Sequence, residues 1–169
     1  MIAAEEEALL TRLAAEVEGS CIIEVGSYRG KSTIALARGA SVPIYAIEPH
    51  EEFVGVMGGR FGPADRCAFF ENLLSAGVSE KVRLVNLSSE IVAPNWRVPV
   101  GLLWIDGDHR YEAVRRDFEC WRPHLRGPVA LHDSTGPTLG PTRLVKELLD
   151  DGYELLERVK VTTVLGLPD

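Results

Sequence analysis

The sequence has little positive charge, few cysteines and no long apolar run. Its 169 residues include 18 Lys and Arg against 25 Asp and Glu, which gives a formal net charge of −7. Binding to phosphate backbones needs a concentrated basic stripe. Here the densest basic pair, Arg115 and Arg116, stands among acidic residues. We therefore expect no nucleic-acid partner.

The three cysteines, Cys21, Cys67 and Cys120, show no C-x-x-C spacing. Each falls in or beside an apolar stretch, which favours small buried side chains in a reducing compartment. The opening segment MIAAEEEALLTRLAAEVEGS is acidic and amphipathic. It predicts an N-terminal helix over residues 1–18 rather than a signal peptide or a membrane span. We expect a cytoplasmic protein with no membrane partner.

Short apolar runs alternate with helix-like segments along the chain. Five of these runs predict strands: CIIEV, PIYAIE, KVRLVNL, VGLLWID and GPVALHD. Near-continuous apolar strands separated by helices are typical of a parallel sheet covered on both faces. The final runs YELLERV and VTTVLGL have no helix between them, which favours an antiparallel pair. The pattern predicts one domain over residues 1–169: a doubly wound, Rossmann-like α/β sheet, mostly parallel, with an antiparallel C-terminal hairpin.

The segment EVGSYRGKST lies at the end of the first predicted strand. It is similar to a P-loop but one residue too short, and the dinucleotide fingerprint G-x-G-x-x-G is also missing. Gly26 and Gly30 would let the chain approach a ligand closely at a helix N-terminus. Glu48 closes the second strand, where a carboxylate can accept hydrogen bonds from ribose hydroxyls. Glu24 would repel a pyrophosphate but suits a cationic amine, so S-adenosylmethionine fits this loop better than NAD.

The same residues carry a family resemblance. IIEVGSYRGKST followed by YAIEPH resembles the opening of the class I S-adenosylmethionine-dependent methyltransferases. The run LLWIDGDHRYEAVRRDFECWRPHLRGPVALHDS is similar to the branch that includes antibiotic-tailoring and sugar O-methyltransferases and cephalosporin hydroxylase-like proteins. The likeness extends from about Cys21 to Leu165. It implies methyl transfer to a small-molecule acceptor, on a hydroxyl oxygen. The residues that we assign to the cofactor are Glu24, Gly26, Ser27, Gly30, Ser32, Glu48, Ser88, Ser89 and Asp106.

A second group of polar residues follows the fourth and fifth predicted strands. Asp106 and His109 come after one strand, and His132 and Asp133 after the next. Neighbouring parallel strands end at the same edge of a sheet, so we expect both pairs to face one crevice. The resemblance implies that Asp106, His132 and Asp133 hold a divalent metal ion.

His132 stands where many relatives carry a carboxylate or an amide. Oxygen ligands suit Mg²⁺, whereas imidazole suits Zn²⁺, Mn²⁺ or Fe²⁺. Three alternatives stay open at this point: a transition metal, a His132 that only orients a neighbour, and no metal at all.

His109 is the candidate general base, with Asp106 as its catalytic partner. Similar enzymes place a histidine three residues after this aspartate to remove the proton of the substrate hydroxyl, and an unperturbed imidazole suits this task at neutral pH. The structural alternative is that His109 caps its helix or bonds to Asp108. Asp108 itself is expected to cap the helix.

Two other functional classes remain open from the sequence. One is a nucleoside-binding module without turnover, and the other is a nicotinamide-dependent oxidoreductase with a variant glycine loop. The identity of the acceptor cannot be read from the sequence. The oligomeric state also stays open, with a homo-oligomer among the alternatives.

Overall fold

The computed structural model describes residues 2–56, 58–137 and 139–168. The helices are α1 (Ala4–Ala15), α2 (Lys31–Gly39), α3 (Pro63–Ser75), α4 (Ser89–Val92), α5 (Tyr111–Trp121) and α6 (Gly140–Asp150). The strands are β1 (Cys21–Val25), β2 (Ile44–Ile47), β3 (Phe53–Val54), β4 (Arg60–Phe61), β5 (Val82–Val85), β6 (Val100–Ile105), β7 (Val129–Leu131), β8 (Glu154–Val159) and β9 (Thr162–Gly166).

Seven of these strands form one sheet in the order β5-β2-β1-β6-β7-β9-β8. The first five in this order run parallel, whereas β9 pairs antiparallel with both β7 and β8. The order in which successive strands are added to the sheet reverses between β1 and β6, at the centre of the sheet. Ligands bind at this point in folds of this kind. The predicted mostly parallel sheet with an antiparallel C-terminal hairpin is confirmed.

The sheet is covered on both faces, also as predicted. Helices α1, α2 and α3 pack on one face around buried residues such as Leu10, Leu36 and Phe69. Helices α5 and α6 cover the other face around Phe118 and Leu144. Because successive side chains of a strand point to opposite faces of the sheet, each central strand contributes residues to both hydrophobic cores.

The N-terminal helix is shorter than the predicted segment 1–18. Helix α1 runs over Ala4–Ala15, and Met1 lies outside the described residues. Its apolar side packs on α2, where the hydroxyl of Thr11 donates to the carbonyl of Ala35 at 2.9 Å. One acidic side chain of α1, that of Glu6, is turned inward and is buried.

A small hairpin of β3 and β4 lies beyond the carboxyl end of the main sheet. It falls in a glycine-rich stretch whose residue pattern predicts no strands. The rings of Phe53 and Phe61 stack at 4.5 Å, and Phe61 meets the edge of Tyr28 at 5.1 Å. On its other side, the carbonyl of Val54 accepts a hydrogen bond from Arg110 at 3.1 Å. The hairpin therefore connects the loop after β1 with the loop after β6.

Among the described residues, no helix has the length and apolar character to cross a bilayer.

Candidate active site

The loop after β1 lies in direct contact with the end of β6. The amide of Asp106 donates to the carbonyl of Val25 at 2.8 Å. Gly26 has a φ of +85°, and a Cβ atom there would lie 2.5 Å from the carbonyl oxygen of Asp106. The sequence suggested that Gly26 makes room for a ligand. In the structure, the group that occupies this space is the main chain of Asp106 and Gly107.

Gly30 begins helix α2 in a left-handed conformation, with a φ of +85°. Its amide donates to the carbonyl of Ser27 at 2.7 Å, which closes the loop into a tight turn. Ser27 is 2% exposed, and its hydroxyl has no hydrogen-bond partner within the described part of the chain. A buried hydroxyl without a partner is costly, so this position fits a group that a ligand supplies.

Glu24 lies deeper than a cofactor contact requires. It is completely buried, and its two carboxylate oxygens accept hydrogen bonds from Ser32 at 2.5 Å and Thr33 at 2.6 Å. Burial raises the pKa of Glu24 to about 8, against the lowering effect of these two hydroxyls. In this arrangement Glu24 and Ser32 fasten β1 to the first turn of α2. Their predicted contact with the cofactor stays a prediction.

Glu48 lies beside the same loop, at the end of β2. Its carboxylate accepts the amides of Tyr28 at 3.2 Å and His50 at 3.0 Å. His50 is 4% exposed, and its Nε2 atom lies 2.9 Å from the carbonyl oxygen of Tyr28. The structure thus brings Glu48 next to the glycine loop, as the position of β2 requires.

The two serines after β5 have different surroundings. Ser88 precedes helix α4 and is half-buried. Ser89 is buried, and its hydroxyl accepts a hydrogen bond from the indole of Trp121 at 3.1 Å. Ser89 therefore has a structural partner between α4 and α5. A role in cofactor binding stays a prediction for both residues.

Asp106, His109, His132 and Asp133 come together at the ends of β6 and β7. One ligand atom from each residue lies within 4.8 Å of all the others. His132 Nδ1 is 2.9 Å from Asp106 Oδ1 and 3.3 Å from Asp133 Oδ2. His109 Nε2 is 3.5 Å from one oxygen of each aspartate. The structure thus unites the predicted metal ligands with the predicted base.

Three imidazole nitrogens of this cluster are buried and have no aligned hydrogen bond to any residue that the structure describes: His109 Nε2, His132 Nδ1 and His132 Nε2. The atoms converge from several sides but are not directed at one another as donor and acceptor. Imidazole nitrogens that converge with carboxylate oxygens on one point are the arrangement that a metal ion needs. The donor set of two carboxylates and an imidazole fits a divalent ion.

The carboxylates and imidazoles of the cluster shift one another's pKa values in the direction that favours the charged forms. Burial lowers the pKa of His132, but Asp106 and Asp133 outweigh this effect and raise it to about 10. Burial raises the pKa of Asp106, but the imidazoles of His109 and His132 outweigh it and lower the pKa. His132 also lowers the pKa of Asp133.

Asp108 lies outside this cluster. Its carboxylate accepts the amide of Arg110 at 3.1 Å and pairs with the guanidinium of the same residue at 2.8 Å. These contacts shape the turn that leads into α5. The expectation that Asp108 caps this helix is wrong, because the N-cap residue of α5 is Arg110, and no side chain caps the helix there.

A cleft of about 700 Å³ opens beside His109. Its walls come from the tip of the β3–β4 hairpin, the start of α5 and the loop before α6. The lining residues are Val56, His109, Arg110, Tyr111, Gly136, Pro137, Leu139, Gly140 and Arg143. The cleft and the glycine loop thus lie on elements that meet at the carboxylate–histidine cluster.

Comparison with known proteins identifies the family. The family model described as "Methyltransferase domain" matches residues 23–134, well over half of the chain. The chain therefore belongs to the methyltransferase-domain family. The resemblance to class I methyltransferases is confirmed, and the matched segment runs from β1 through the whole carboxylate–histidine cluster.

Solved structures with the same fold include O-methyltransferases. One is the O-methyltransferase TomG from Streptomyces achromogenes, involved in tomaymycin synthesis, in complex with SAM (17% identity, 100% of this chain and 82% of that chain, TM-score 0.74). A second is the O-methyltransferase from Bacillus cereus in complex with SAH (18% identity, 99% and 83%, TM-score 0.73). A third is an rRNA methylase from Streptococcus thermophilus (17% identity, 100% and 99%, TM-score 0.67). At these identities, the likeness concerns the fold.

Proposed function

We propose that this protein transfers the methyl group of S-adenosylmethionine to a hydroxyl oxygen of a small-molecule acceptor, with the assistance of a divalent ion. The observation that carries this proposal is the position of His109. Its Nε2 atom faces Asp106 and Asp133, while the residue also lines the cleft. A base at this point has the glycine loop after β1 on one side, and the cleft, which can hold an acceptor, on the other.

The loop after β1 supports S-adenosylmethionine as the cofactor. The unpartnered hydroxyl of Ser27 is available to a ligand, and the carboxylate of Glu48 lies beside the loop, half-buried, where it would accept bonds from ribose hydroxyls. The acidic surroundings of Glu48 and Asp106 suit a cofactor whose sulfur is positively charged. When bound, S-adenosylmethionine supplies an electrophilic methyl group on that sulfur.

His109 would hold the proton that the acceptor hydroxyl gives up. Nε2 is buried and unpaired, so it is free to accept a proton. The imidazolium that results would be stabilised by the carboxylates of Asp106 and Asp133, each 3.5 Å away. The remaining task of the protein is to align the acceptor oxygen with the methyl group, which the rigid ends of β6 and β7 favour.

Asp106, His132 and Asp133 would hold the divalent ion. An ion at this position would lower the pKa of an acceptor hydroxyl that it contacts. EDTA should abolish transfer and added metal should restore it. Asp106→Asn and Asp133→Asn should each weaken this response, whereas Asp108→Asn, in the same loop but outside the cluster, should not.

An RNA acceptor is disfavoured by charge. The rRNA methylase shares the fold, but this chain carries a net charge of −7, and RNA binding depends strongly on clustered Lys and Arg. We therefore expect no transfer to RNA and a small organic molecule as the acceptor.

Calorimetry with S-adenosylmethionine, S-adenosylhomocysteine and NADH, followed by a transfer assay over a broad panel of hydroxylated acceptors, tests the proposal. Tighter binding of NADH than of S-adenosylmethionine would support the oxidoreductase alternative. Binding of S-adenosylhomocysteine with no transfer to any acceptor, with or without added metal, would support a binding module.

A further inference from the structure

Glu6 of helix α1 lies on the side of His132 that faces away from the carboxylate cluster. Its Oε1 atom is 3.7 Å from His132 Nε2. On the opposite edge of the ring, Nδ1 faces Asp106 at 2.9 Å and Asp133 at 3.3 Å. The imidazole therefore stands between the proposed ion site and a carboxyl group that the first helix supplies.

The burial of Glu6 is greater than its helix position explains. Its Oε2 atom accepts the amide of Ala3 at 2.8 Å, a capping contact that glutamates also make at exposed helix starts. Yet Glu6 is only 1% exposed, and its other oxygen accepts the hydroxyl of Thr162 at 2.7 Å. Burying a carboxyl group is costly unless polar partners surround it. His132 is a basic side chain that faces this carboxyl group, with Nε2 at 3.7 Å from Oε1.

The ring of His132 also needs a partner on this side. Nδ1 can bind a cation only when it carries no proton, so the single proton of a neutral ring then has to sit on Nε2. Within the described residues Nε2 has no aligned hydrogen bond. The present 3.7 Å to Glu6 is longer than a hydrogen bond, and a shift of less than about 1 Å would close it.

We propose that Glu6 is a positioning residue of the ion site, which holds His132 with Nδ1 toward Asp106 and Asp133. Ligating histidines in proteins commonly donate their second N–H to a carboxylate in this way. A fixed imidazole ligand makes the site select a transition ion such as Zn²⁺ over Mg²⁺. This inference rests on the ion that the proposed function includes, and it makes α1 part of the active site.

The test compares Glu6→Gln with Glu5→Gln on the same helix, where Glu5 is exposed and pairs with Lys160 at 2.8 Å. Zn²⁺ and Mg²⁺ affinities are measured by calorimetry on metal-stripped protein, without cofactor or acceptor. We expect the parent and Glu5→Gln to bind Zn²⁺ more tightly than Mg²⁺. Glu6→Gln should weaken Zn²⁺ binding by about 10- to 100-fold and Mg²⁺ binding by less, so that the preference shrinks.

Two further measurements separate positioning from helix capping. Thr162→Val removes one contact of Glu6 but keeps its carboxyl group, and should retain the Zn²⁺ preference even if its unfolding midpoint falls. Ring-nitrogen NMR of Zn²⁺-loaded parent should place the proton of His132 on Nε2 and the metal on Nδ1, a pattern that Glu6→Gln should lose.

The inference is overturned if Glu6→Gln and Glu5→Gln bind Zn²⁺ equally well, or if the parent prefers Mg²⁺. It also falls if neither ion binds the parent. Absence of ion binding to the parent would also remove the ion from the proposed function. Methyl transfer itself is tested separately, by cofactor binding and by transfer in EDTA.

Discussion

Gly26 and Asp106 touch through their main chains. A Cβ atom on residue 26 would lie 2.5 Å from the carbonyl oxygen of Asp106, and the neighbouring Val25 accepts the amide of Asp106 at 2.8 Å. The glycine loop and the first carboxylate of the cluster are therefore held as one unit. A substitution in the glycine loop should therefore displace Asp106, and a displacement of Asp106 should alter the loop.

Gly26→Ala tests this contact, with Gly19→Ala as its control. Both glycines have a positive φ, but a Cβ at Gly19 meets nothing within 4 Å. Gly19→Ala should cost about 1–2 kcal/mol for the left-handed backbone. Gly26→Ala should cost about 1–3 kcal/mol more, because the main chain of Asp106 has to move. Urea unfolding measures the difference, and equal losses would show that the contact is not tight.

Replacing Glu48 with Ala should weaken S-adenosylmethionine binding without unfolding the domain. The loss of hydrogen bonds between a carboxylate and ribose hydroxyls costs about 1.5–3 kcal/mol, or about ten- to a hundredfold in affinity. Calorimetry checks this, with the exposed Glu51→Ala as a control that should bind as the parent does. An unchanged affinity in Glu48→Ala would remove Glu48 from the cofactor site.

His109→Ala should separate turnover from binding. A positioned general base contributes about 10²- to 10⁴-fold to the rate and little to cofactor affinity. We expect a loss of this size in kcat once an acceptor is found, with the affinity for S-adenosylmethionine nearly intact. His124→Ala is the matched control, because His124 bonds to the carbonyl of Ala93 far from the cluster. Parent-like turnover in His109→Ala would leave the base unassigned.

Glu24 should make the stability of the cofactor-free protein depend on pH. Its pKa in the folded state is raised from 4.5 to about 8, so the folded protein binds more protons than the unfolded chain between these values. The free energy of unfolding should therefore fall as pH rises through this window. Glu24→Gln resembles the protonated carboxyl group and should reduce this fall. Urea unfolding at about pH 5.5 and 7.5 measures this change in the free energy of unfolding, with the exposed Glu18→Gln as control. An equal change in the parent and in Glu24→Gln would argue against the raised pKa of Glu24.

Much of the fold followed from local patterns. The apolar runs predicted the seven strands of the main sheet, and the neighbouring ends of β6 and β7 could be expected to bring Asp106 and Asp133 together, because parallel strands end at one edge. Helix faces were harder to predict. Phe70 and Leu74 have the same spacing as Phe69 and Leu73, yet they are 47% and 67% exposed.

Side-chain direction at the strand ends could not be predicted from the sequence. Glu24 and Ser32 are near the glycine loop in the sequence, but they face each other beneath it. Ser89 turns toward Trp121 for a similar reason, because a buried indole N–H needs an acceptor. These orientations depend on packing between distant segments, which local periodicity does not encode.

The bond between Glu6 and Thr162 joins residues 156 positions apart. During synthesis, the residues of the β6–β7 cluster emerge before Thr162, so Glu6 lacks this partner until Thr162 has been added to the chain. Contacts of such long range form late because the chain has to close a large loop first. The surroundings of His132 on the Glu6 side are therefore complete only after this late contact has formed.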